Sequence, residues 1–175
     1  MYHVSENKIE VFYPRKSPLD APIHGDFVWA IGEKLLHNYV LPRDCPRVCY
    51  YPKTFSQMLS YSCMFNLDKK PFVVAVPQYM FDTILNTKLY IHQFAPFNFK
   101  LIDEIANYYV SAQIETCINI FEINNILAYF DHNPFVELKF IKDLEELKNV
   151  VIKSDLNFMR FHFLLLSYSF LNLVL

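Results

Sequence analysis

Apolar positions in this chain come in short groups, alternating in some stretches and recurring at helical spacing in others. Tyr2-His3-Val4 predicts a short strand ahead of the polar turn Ser5-Glu6-Asn7-Lys8, and Ile9 and Val11 then flank Glu10. Residues 14–26 hold Pro14, Pro18 and Pro22, which predicts a loop. Phe27 to Ile31 is apolar throughout, as in a strand covered on both faces. Leu35, Leu36 and Tyr39 sit at helical spacing in Glu33–Val40, and Pro42 stops that helix. Val48 to Tyr51 predicts a strand, and a helix over Phe55 to Leu59 takes Thr54 as its cap.

The second half continues in the same way. Phe72 to Val76 is an uninterrupted buried strand, and Pro77 suits the first position of a helix to about Leu85. Leu89–Phe94, Phe99–Ile102 and Tyr108–Ser111 read as strands. Ile123, Ile126, Leu127 and Phe130 line one face of a helix. Val136–Ile141 alternates around Glu137 and Lys139, and Leu144, Leu147, Val150 and Val151 face one way on a helix starting near Lys142. Strands and helices do not alternate strictly, so the pattern predicts one α+β domain with a mixed, mostly antiparallel sheet and short helices. That domain spans residues 1–158, and residues 159–175 form an apolar tail. Phe161–Leu175 has no charged side chain and falls short of the roughly 20 residues of a bilayer-spanning helix. It reads as a terminal element packed on the core, the other readings being a peripheral membrane foot or a tail not native to the fold.

Composition narrows the function classes. The 175 residues are 53% apolar and 19% charged, which predicts a compact globule. A formal charge of -2 and the lack of any long basic run argue against nucleic acid as a partner. Many of the 17 Phe and 12 Tyr are expected to fill the core. Two glycines cannot make a G-x-G-x-x-G or a P-loop phosphate cradle. Cys45, Cys49, Cys63 and Cys117 contain no C-x-x-C pair, and the histidines have no ligand spacing, so no metal is expected. The early charges Glu6, Lys8 and Glu10 do not suit a secretory signal, and a cytoplasmic location with free thiols fits.

The unusual chemistry gathers between Gly25 and Val48. This stretch holds both glycines, the lone tryptophan Trp29, and Arg43-Asp44-Cys45-Pro46-Arg47 fenced by prolines. Arg43 and Arg47, joined by Arg15, could meet a phosphate or carboxylate, because the guanidinium fork matches both. Equally, Asp44 could cap the loop or pair with Arg47 and make the segment purely structural. Cys45 has only His37 near it in sequence as a base. Asp103, Glu104 and Glu115 are carboxylates for acid–base work or plain surface charge.

His3-Val4-Ser5-Glu6, Val28-Trp29-Ala30-Ile31, Pro42-Arg43-Asp44-Cys45-Pro46-Arg47-Val48, Tyr109-Val110-Ser111 and Ser154 occur in that order. Together they resemble a small family of uncharacterised bacterial proteins, a domain of unknown function, over residues 1 to about 158. More distantly, a histidine on the first strand, an aromatic on the next and Asn107-Tyr108-Tyr109-Val110 resemble the ADP-ribosyltransferase fold. That resemblance implies NAD or another nucleotide as ligand. His3 would hold the nicotinamide ribose, Trp29 or Tyr39 would stack on nicotinamide, and Arg15, Arg43 and Arg47 would supply cations. Tyr108 stands where the family has its glutamate, so Tyr108 or Glu115 would replace the acid. The reading from another class is a non-catalytic cytoplasmic binding module in which residues 42–48 are structural.

Overall fold

A computed structural model describes residues 1–19, 21–65 and 70–159 of the chain; the expectations for the tail beyond Met159 fall outside them. In chain order the strands are β1 (Tyr2–Ser5), β2 (Val11–Phe12), β3 (Arg15–Lys16), β4 (Asp26–Ile31), β5 (Val48–Tyr51), β6 (Phe72–Pro77) and β7 (Leu89–Gln93). They continue with β8 (Lys100–Asp103), β9 (Tyr108–Ser111), β10 (Glu115–Thr116), β11 (Asn119–Ile123), β12 (Val136–Ile141) and β13 (Asn157–Phe158). The helices are α1 (Phe55–Phe65), α2 (Phe81–Asn86), α3 (Ile126–Asp131) and α4 (Leu144–Lys153), with 3-10 segments at Glu33–Tyr39 and Gln78–Met80.

The larger sheet runs β11-β7-β1-β4-β9-β8, with β3 added on β4. The smaller runs β12-β6-β5-β13, and β2 pairs with β10 apart from both. Every described pairing is antiparallel except that of β12 with β6. This is the expected α+β architecture with a mixed, mostly antiparallel arrangement.

β6 shows why the chain forms two cores. Its side chains alternate, so Val74 and Val76 enter the core they share with the larger sheet. Val73 and Ala75 turn the other way, onto Leu144 and Val151 of α4. A third cluster joins Phe12, Val28, Ala30 and Phe94 on the outer face of the larger sheet. Side-chain oxygens start α3 and α4: Asn125 accepts from the Ala128 N–H at 2.9 Å, and Asp143 from the Glu146 N–H at 2.9 Å.

Several local expectations shift. Arg15 and Lys16, expected in a loop, pair with Phe27 and Asp26, because Pro14 and Pro18 flank this short strand without interrupting it. Glu33–Tyr39 is 3-10 rather than α, with a kink at Leu35 (φ -116°, ψ 15°). Pro77 closes β6 in extended geometry and caps the 3-10 segment Gln78–Met80 that leads into α2, where it was expected as the first helical residue. Ile123, expected on a helix face, ends β11, and α3 starts beyond it at Ile126.

Candidate functional site

Strand pairing around β1 opens the arrangement of interest. β1 follows β7 for four residue pairs, His3 lying opposite His92, but its register with β4 is the single pair Tyr2 with Ile31. β3 takes the far end of the same β4 edge, at Phe27 and Asp26. Between those two partners the His3 side chain reaches β4: its Nδ1 donates to the Trp29 carbonyl at 3.0 Å. A carbonyl only accepts, so this bond fixes the Nδ1–H tautomer and leaves Nε2 as a lone-pair acceptor.

His92 lies behind His3 and is fully buried. Its Nε2 accepts from the Ile9 N–H at 3.0 Å, and its Nδ1 donates to the His3 carbonyl at 3.3 Å. Phe12 stands edge-on to both imidazoles, with centroids 5.0 Å from His3 and 5.1 Å from His92. Burial drives the His3 pKa down to about 4, with His92, Arg15 and Arg43 lowering it further and the Trp29 carbonyl opposing them. Arg15 and Arg43 are exposed, and neither forms an ion pair among the described residues. The Arg43 N–H donates to Glu6 Oε1 at 3.0 Å, holding the loop against the end of β1.

The expectation that His3 and Trp29 share a cavity is corrected. Register places Ile31 opposite both Tyr2 and Tyr108, so Trp29, two residues along, faces with Tyr108 and away from His3. The Trp29 ring is edge-on to Tyr108 with centroids 6.2 Å apart, and Tyr108 belongs to the core between the sheets. The His3 ring touches Phe12 in the outer cluster. Continued from Tyr2 opposite Ile31, the antiparallel register sets His3 against Ala30, on the face that Trp29 does not share.

Arg47 also departs from its expected place beside the other cations. Nε donates to the Cys45 carbonyl at 3.0 Å, Nη1 to Asn38 at 2.9 Å and Nη2 to Pro42 at 2.9 Å. Its fork is thus spent on the loop between the 3-10 segment and β5, where those carbonyls lack a ladder partner. Cys45 is wholly buried, its Sγ donates to the Pro46 carbonyl at 3.6 Å, and burial lifts its pKa to about 11. A thiol so held is a poor nucleophile.

The two residues expected to replace an acid lie apart. Tyr108 receives a hydrogen bond from the Tyr39 hydroxyl on the inner face. Glu115 is buried on β10 opposite Phe12, and its Oε1 accepts from the Ser111 hydroxyl at 2.5 Å. Asp103 Oδ1 caps its own turn by accepting from the Ala106 N–H at 2.9 Å. Sequence reasoning missed His92 and Phe12 as neighbours of His3; no spacing along the chain pairs residue 92 with residue 3. Among the described residues no group of His, Cys, Asp and Glu could hold a metal ion, and no helix is long and apolar enough to cross a membrane.

Residues 2–164 match the model of a family of unknown function, DUF6886. The chain belongs to this family. No curated protein and no solved structure matches it. For a DUF6886 chain the chemistry therefore has to be argued from the His3 surroundings themselves.

Proposed function

We propose that the chain is a nucleotide-binding domain whose ligand, NAD or a similar dinucleotide, enters where β1 parts from β4. The observation that carries this reading is the His3 imidazole, fixed by the Trp29 carbonyl so that Nε2 keeps its lone pair, with Arg15 and Arg43 both acting against its protonation. A neutral imidazole with an unused acceptor nitrogen lies in the field of two guanidinium groups. Guanidinium forks suit diphosphate oxygens, and the His3 Nε2 lone pair suits a ribose hydroxyl. With Trp29 and Tyr39 on the other face, the histidine on the first strand is what remains here of the resemblance to ADP-ribosyltransferases, and it is the reason for choosing NAD.

Binding is favoured over transfer. Tyr108 is committed to Tyr39 on the opposite face, and Glu115 to Ser111, so neither acid candidate stands free beside His3. Arg47, tied to three loop carbonyls, supports a structural role for most of residues 42–48, with Arg43 as the loop's contribution to the ligand.

Isothermal titration of the full chain with NAD tests this. Wild type should give saturable heat. His3→Ala and the double variant Arg15→Ala/Arg43→Ala should each weaken binding at least about tenfold, the scale of one lost hydrogen bond to a charged group. Absence of heat on folded wild type, or undiminished affinity in the arginine double variant, would overturn the reading.

A further inference from the structure

β12 ends the smaller sheet: β6 pairs with it on one side, and among the described residues no strand pairs with the other. The Phe135 carbonyl accepts from the Phe72 N–H at 3.0 Å, which fixes the phase of the parallel ladder. Along such a ladder the backbone groups of alternate residues turn to opposite sides. Those of Glu137 and Lys139 therefore face β6, and those of Val136, Leu138 and Phe140 turn to the open side. A cavity of about 340 Å³ adjoins the strand there, bounded by Leu138 and Phe140 and by Leu127 and Phe130 of α3.

A six-residue strand with one side unpaired is a template for another strand. The other sheet edges are less suited. β8 is broken by a register shift between Leu101 and Asp103, β13 has two residues, and on β11 Glu122 is held by Lys88 of the same chain at 2.6 Å.

The order of side chains on β12 selects the partner. Glu137 and Lys139 share a face, Lys139 Nζ lying 3.4 Å from Glu137 Oε2, and both side chains keep part of their surface in solvent. An antiparallel strand complements them if it carries the same two charges in reverse order. We propose that a second copy of this chain adds antiparallel to β12 about a two-fold axis at Leu138, joining the two smaller sheets into one. Leu138 then lies opposite its counterpart, Val136 opposite the second copy's Phe140, and Glu137 opposite the second copy's Lys139. The exposed Phe135 meets Ile141 beyond them. This register lets the outward-facing residues exchange both N–H···O bonds and sets the charged pairs at the closer, unbonded positions. An axis at Glu137 or Lys139 would oppose like charges instead. The contact is symmetric and closes at two copies. β12 and His3 lie in different sheets, so the pairing does not rest on the nucleotide reading.

Sedimentation equilibrium of the full chain tests this. Wild type should give a concentration-dependent dimer. Lys139→Glu and Glu137→Lys each set like charges across the axis and should weaken association at least about tenfold. Mixed together, the two variants should pair with each other, and Glu137→Lys/Lys139→Glu in one chain should dimerise as wild type does. A wild type that stays monomeric, single variants that dimerise undiminished, or a double variant that is not restored would overturn the proposal. Should the single variants fail to fold, hydrogen exchange on wild type decides. The Leu138 and Phe140 amides should gain protection as concentration rises, and unchanged exchange overturns the pairing.

Discussion

His3 donates its Nδ1 proton to the Trp29 carbonyl across 3.0 Å, although the two rings stand on opposite faces of one sheet. The bond is side chain to backbone, and it supplies a tie where β1 and β4 no longer run in register. It orients the imidazole without drawing the indole toward it. One residue thereby closes the strand junction and keeps an acceptor nitrogen on its other side.

The histidine behind it should matter for stability. His92 is fully buried and serves the Ile9 N–H and the His3 carbonyl at once. His92→Ala strands both groups and leaves a cavity between Phe12 and β1. The expected loss is about 2–4 kcal/mol, read from urea denaturation. An effect below about 1 kcal/mol would show that water replaces both bonds at little cost.

Acid should destabilise the fold through neutral imidazoles. His3 and His37 have folded pKa values of about 4 against an ordinary 6.5, both because of burial. Well above pH 6.5 each is neutral folded or unfolded, and stability is full. As pH falls from 6.5 toward 4 the unfolded chain takes up protons that the folded chain refuses, so stability declines. The slope through the middle of that window is about 1.4 kcal/mol per pH unit for each imidazole. Arg15, Arg43 and His92 all oppose protonation of His3, which keeps the window on the acid side. Denaturation midpoints measured between pH 7 and 4 check this, and His37→Gln should flatten the slope.

The loop from Pro42 to Val48 should tolerate loss of a fork badly. Arg47→Lys keeps the charge but cannot reach the Asn38, Pro42 and Cys45 carbonyls together. A loss of about 2–3 kcal/mol in folding stability is expected, with any NAD affinity unchanged. A drop in affinity without a drop in stability would give Arg47 to the ligand instead.

The elements set by local pattern were legible before any coordinates. Tyr108–Ser111 and Val136–Ile141 stand as strands over the residues expected, and Thr54 caps α1, its Oγ1 accepting from the Gln57 N–H at 3.2 Å. What local pattern could not carry is register. Whether His3 and Trp29 share a face depends on which residue of β4 meets Tyr2, a relation between positions 29 residues apart. The partners of Arg47 were hidden for a similar reason: carbonyls carry no signature in a sequence, whereas Asp44, the partner expected from residue type, is exposed. Short pairs such as Arg15–Lys16 and Asn157–Phe158 exist because a neighbouring strand offers an edge, with no periodicity of their own to announce them.

Gly32 follows the last residue of β4, and a side chain there would run into the amide group of Asn107. A Cβ there would lie 2.6 Å from Cγ of Asn107, while the Gly32 N–H already donates to the Asn107 carbonyl at 3.0 Å. Asn107 itself sits at φ 56°, a left-handed conformation that asparagine tolerates and glycine prefers. Gly32→Ala must displace the amide group of Asn107 while the backbone bond holds that residue in place. The expected cost is about 1–3 kcal/mol. Asn107→Gly in the same chain removes the obstructing amide and suits the backbone, so the double variant should recover most of the loss. Thermal denaturation of the two single variants and the double variant measures the coupling. Additive effects would show that the strand end relaxes away from Asn107 and that the close approach is not what excludes a side chain at position 32.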